Sequence, residues 1–92
     1  MTNADAARVP AFRRGVKFRF DAVRDAWIVL APERLFLPDE AAVEVLKLVD
    51  GARTLGLIVD DLCARYDAPR DVVMADVAAM AQDLAEKGVL SW

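Results

Sequence analysis

The stretch Val16-Lys17-Phe18-Arg19-Phe20 decides the fold, because apolar and basic residues alternate through it strictly. A period of two places successive side chains on opposite faces of a strand, so this segment reads as a strand with one buried face. Polar turn residues follow from Asp21 to Asp25, and then Trp27-Ile28-Val29-Leu30, a short β-rich run. Pro32-Glu33 marks a tight turn before Arg34-Leu35-Phe36-Leu37, which reads as a third strand ended by Pro38. Strands joined this closely pair antiparallel, since parallel pairing needs a long crossover.

From Asp39 the apolar period becomes helical. Asp39 is placed as an N-cap, Glu40 lies in the first turn where the helix dipole favours it, and Val43, Leu46 and Val49 form a stripe ending at Gly51. A second helix is predicted from about Thr54 to Tyr66, burying Leu55, Ile58, Leu62 and Tyr66. A third is predicted from Pro69 to Lys87, with Val73, Val77, Met80 and Leu84 on its buried face, followed by Gly88 and a short extended tail. Three antiparallel strands followed by a three-helix bundle predict an α+β, winged-helix-like domain. Ninety-two residues suit a single domain, assigned here to 10–92, with residues 1–9 as a flexible arm.

Composition removes several kinds of chemistry. The chain has no histidine and one cysteine, Cys63, which leaves no Ser-His or Cys-His pair, no thiolate cage for a metal, and no cofactor cradle. The four glycines are scattered, so no phosphate-binding loop is formed. Asp60-Asp61, Asp71 and Asp76 read as solvated helix faces, and Cys63 as a small packing residue. No apolar run approaches the roughly 20 residues that span a bilayer, and residues 1–9 lack a secretory signal. A lone cysteine fits the reducing cytoplasm. The expectation is a binding module and not an enzyme.

Charge narrows the partner. Residues 1–20 hold Arg8, Arg13, Arg14, Lys17 and Arg19 against Asp5, whereas residues 35–92 are strongly acidic. The third helix bears Asp71, Asp76, Asp83 and Glu86 against Arg70 and Lys87, a poor match for a phosphate-lined groove. DNA binding by a winged-helix regulator is therefore the alternative reading, and the main expectation includes no nucleic acid and no membrane. A strand edge offers another mode: an extended peptide can add to it through main-chain hydrogen bonds. Arg34 to Leu37 is the candidate edge; closing the core is the competing role for it, and pairing with a second copy to make a homodimer is a further reading.

The segments Trp27 to Glu33, Leu35 to Leu37 and Asp39 to Leu46 resemble the PqqD family of pyrroloquinoline quinone biosynthesis. Asp50-Gly51-Ala52-Arg53-Thr54, Leu62 to Pro69, Asp76-Val77 and Asp83 to Leu90 continue the likeness, which spans roughly residues 10–91. The resemblance implies a peptide chaperone, a recognition element that binds the precursor peptide PqqA. It further implies presentation of that peptide to the radical S-adenosylmethionine enzyme PqqE, which cross-links a Glu and a Tyr. In such domains the peptide adds beside the third strand over the third helix. That carries over to Arg34, Leu35, Phe36 and Leu37, and to Asp76, Ala79, Met80 and Asp83. Two features depart from the pattern: Leu57 replaces the Glu of a capping box, and Pro38-Asp39 and Ala41 stand where Asn and Ser are common.

Overall fold

The computed structural model describes residues 4–92. The alternating stretch becomes strand β2 (Lys17–Asp21), after a two-residue strand β1 (Ala11–Phe12). Strand β3 (Ala26–Ala31) and strand β4 (Arg34–Phe36) follow, so the predicted third strand is β4. The three form an antiparallel sheet in the order β2-β3-β4. Phe18 faces Val29, Val29 faces Phe36, and Phe20 faces Trp27 across the ladder. These residues share one side of the sheet, and Lys17, Arg19 and Leu35 lie on the other.

Local chemistry explains the turns. Asp21 accepts from the amides of Val23 (3.0 Å) and Arg24 (3.3 Å), and Asp25 takes a left-handed backbone (φ 54°) that returns the chain into β3. Pro32-Glu33 close the two-residue turn into β4.

Helix α1 (Glu40–Leu46) is capped as expected, with Asp39 Oδ1 accepting from the Ala42 amide at 2.8 Å. It stops short of the predicted Gly51. Leu48 and Val49 donate instead to carbonyls three residues back, a tightening of the chain that turns Val49 into the core. Helix α2 (Leu55–Tyr66) begins at Thr54, whose Oγ1 accepts from the Leu57 amide at 3.2 Å. Helix α3 (Arg70–Glu86) starts one residue after Pro69, and a two-residue strand β5 (Leu90–Ser91) pairs antiparallel with β1. The predicted extended tail is therefore an ordered partner of the N-terminal segment.

The core gathers Val29 from the sheet, Val45 and Leu46 from α1, Leu55, Ile58, Val59 and Leu62 from α2, and Met74, Val77 and Ala81 from α3. Two predicted faces are corrected. The buried side of α3 is Met74, Val77 and Ala81, which leaves Val73, Met80 and Leu84 only partly buried. Tyr66 is 55% exposed and not in the core, because its hydroxyl donates to Glu44 of α1 at 2.9 Å.

Residues 1–3 of the arm assigned to residues 1–9 lie outside the described residues. Ala4–Ala7 form a 3-10 turn packed on α2. The Arg8 carbonyl accepts from the Leu55 amide at 2.8 Å, which satisfies a donor left free at the start of α2. Gly56 lets this turn approach α2 closely, since a Cβ there would lie 3.1 Å from the Ala6 carbonyl oxygen, a tight contact that the turn would have to give a few tenths of an ångström to accept.

Candidate peptide-docking site

Strand β4 pairs with β3 on one side and with no strand on the other among the described residues, so its outer N–H and C=O groups are open. Leu35 is 42% exposed on this strand, and Arg34 lies over the Phe36 ring at 5.3 Å while Phe36 packs against the core. Beyond Phe36 the chain runs through Leu37, 64% exposed, into a groove of about 930 Å³.

The sequence builds this groove from five elements. Phe20 and Trp27 come from the ends of β2 and β3, where antiparallel register sets them opposite one another, with rings 5.8 Å apart and edge-on. Trp27 also stacks on Phe18 at 4.8 Å and lies beneath Lys47 Nζ at 5.1 Å, so its ring is held from two sides. Helix α1 contributes Glu40, Ala41 and Glu44, one face at helical spacing, and α3 contributes Val73, Asp76, Val77 and Met80. Leu62 and Tyr66 of α2 close the far side. The floor is apolar and the rim acidic.

Electrostatics divide the rim. Glu44 is committed: Tyr66 donates to it at 2.9 Å and Lys47 lies 3.3 Å away, and these two contacts, the Tyr66 hydrogen bond foremost, hold its carboxyl below the usual glutamate range. The same hydrogen bond pushes the Tyr66 hydroxyl up. Glu40, Asp25 and Asp76 also line the groove and have no ion-pair partner among the described residues.

Of the eight residues selected from the sequence, Leu37, Asp76 and Met80 meet in this one groove. Arg34, Leu35 and Phe36 form the strand that leads to it. Ala79 and Asp83 are exposed on α3 outside the lining, and Asp83 is tied to Lys87 at 2.9 Å. Sequence reasoning missed Trp27, Phe20 and Val73 as groove residues. A signal existed for Trp27 and Phe20: two aromatics close to a four-residue turn come together across a hairpin.

The fold and the groove define a class: a small α+β domain with an open strand edge running into an apolar, acid-rimmed groove. Residues 26–90 match the family described as Coenzyme PQQ synthesis protein D (PqqD). The chain belongs to the PqqD family. It is 49% identical over 88 residues to the PqqA binding protein of Bradyrhizobium diazoefficiens, covering 96% of this chain and 84% of that one. Its fold is similar to the solution structure of the PqqD part of Methylobacterium extorquens PqqCD, described as a functional, stand-alone RiPP recognition element. That likeness has a TM-score of 0.80 at 46% identity and covers 95% of this chain and 93% of that one. The crystal structure of PqqD from Xanthomonas campestris is similar with a TM-score of 0.57 at 36% identity, over 84% of this chain and 86% of that one. No helix among the described residues is long and apolar enough to cross a membrane.

Proposed function

We propose that this chain binds the precursor peptide PqqA and presents it to the radical S-adenosylmethionine enzyme PqqE in the cytoplasm. The carrying observation is the open edge of β4 leading directly into the groove between α1 and α3. A peptide added along Arg34–Phe36 gains main-chain hydrogen bonds there. Side chains beyond Leu37 gain burial against Trp27, Val73 and Met80. The names of similar proteins support PqqA as the occupant. An edge used in this way holds a peptide without altering it, which suits a chaperone and not a catalyst. The single free thiol of Cys63 suits a reducing compartment.

The test is calorimetric titration with a synthetic PqqA peptide, followed by PqqE turnover with and without this chain. Saturable binding and faster cross-linking in its presence are the expected results. No heat of binding would refute the peptide reading, and unchanged turnover would refute presentation. Sizing across a concentration series adds a check, because a permanent dimer pairing two β4 edges would block the peptide.

A further inference from the structure

The open strand lies between two regions of opposite charge. The basic side chains from Lys47 onward are all ion-paired: Lys47 to Glu44, Arg53 to Asp50, Arg65 and Arg70 to Asp61 and Asp60, and Lys87 to Asp83. Arg13, Arg14, Lys17, Arg19 and Arg34 have no carboxylate partner among the described residues. Most of these free cations gather at one end of the sheet. Arg13 and Arg14 belong to a tight turn in which the Val16 amide donates to the Arg13 carbonyl at 3.0 Å. That turn lies against the β3–β4 turn, since a Cβ on Gly15 would be 3.4 Å from Pro32 Cγ. Lys17 pairs opposite Leu30, and Arg34 opposite the neighbouring Ala31.

The other end of β4 has the opposite sign. There the chain passes Leu37 into the groove, where Asp25, Glu40 and Asp76 are the carboxylates without an ion pair and Lys47 is neutralised by Glu44. An added strand therefore experiences a field running along its length, positive at Arg34 and negative past Leu37. Complementary charges fix register and orientation more than they add affinity.

We propose that this gradient sets the direction of the docked peptide. The preferred ligand is an extended segment with a carboxylate at the end beside Arg34, apolar side chains over the groove, and Lys or Arg toward Glu40 and Asp76. The proposal rests on the peptide reading above.

The test uses the full chain and a synthetic PqqA peptide, with Arg34→Gln and the pair Glu40→Gln/Asp76→Asn. All three positions are exposed, and the amide spectrum of each variant reports its folding. Each neutralisation is expected to weaken binding about two- to fivefold and to flatten its salt dependence, as solvent-exposed charge contacts do. A nitroxide on the more basic end of the peptide is expected to broaden Asp76 and Met80 amides and spare Arg34. Unchanged affinity and salt dependence in the variants, or broadening at Arg34 in place of Asp76, would overturn the charge gradient while leaving the peptide site intact. No binding to the unmodified chain would overturn both.

Discussion

Arg8 stacks its guanidinium 3.7 Å from the centroid of the Trp92 ring and donates from Nη2 to the Trp92 carbonyl oxygen at 2.8 Å. The two residues lie 84 positions apart, and their contact fastens the N-terminal segment to the tail that pairs with β1. Arg8→Ala is expected to lower the unfolding free energy by about 1–2 kcal/mol, from the lost stack and a charge-assisted hydrogen bond. Arg8→Lys is expected to recover only part of this, because an ammonium lacks the planar face. Urea unfolding checks both; equal stability of Arg8→Ala and the parent would contradict a stabilising clasp.

Met74 and Met80 provide an internal control on which side of α3 does what. Met74 is buried in the core, whereas Met80 is partly buried at the groove. Met74→Ala is expected to cost about 2–4 kcal/mol of stability. Met80→Ala is expected to cost under about 1 kcal/mol but to weaken peptide binding about three- to tenfold, through lost apolar contact. Thermal melts and calorimetry on the same two variants separate the effects.

The missing capping-box acid can be restored. Leu57 is 55% exposed at the third position of α2, so its replacement removes little packing. Leu57→Glu places a carboxylate in the first turn, within reach of the Thr54 amide and favoured by the helix dipole. The expected gain is about 0.5–1 kcal/mol. Denaturant midpoints measure it, and a loss of stability would show that Leu57 packs more than its exposure indicates.

The Glu44–Tyr66 contact predicts an acid limb. The folded state lowers the Glu44 carboxyl below its ordinary value of 4.5, chiefly through the Tyr66 hydrogen bond and then through Lys47. A depressed carboxyl contributes stability that is fully present above the unfolded value and is lost as pH falls through the folded one. Glu44→Gln is therefore expected to flatten the decline in Tm below about pH 4.5, with Tyr66→Phe doing so partially. Melting curves between neutral and acid pH check the slope; identical slopes would remove this pair as a contributor.

Local patterns suffice where the chemistry that fixes an element is short-range. Phe18 and Phe20 alternating with Lys17 and Arg19 located β2, and Asp39 and Thr54 located two helix starts, because strand period and capping are short-range chemistry. The expected face of α3 differs from the buried one since Val72, Val73 and Met74 are consecutive and alanines fill much of the rest, so several apolar stripes fit equally well. Contact with α2 selects Met74, Val77 and Ala81. Tyr66 reads as a core residue because its hydrogen-bond partner lies on another helix, and the contacts of Arg8 are with Leu55 and Trp92, far along the chain. At the site, the edge strand was legible from its turns. The groove was not, because it joins Trp27, Glu40 and Asp76 from three separate elements.

The most direct test of the docking claim is an amide-resolved NMR titration of this chain with PqqA peptide. Shifts are expected to concentrate at Arg34–Leu37, at Trp27 and at Val73, Asp76 and Met80, with slowed exchange of β4 amides on its open edge. Binding that leaves those amides unmoved and shifts another surface would contradict it.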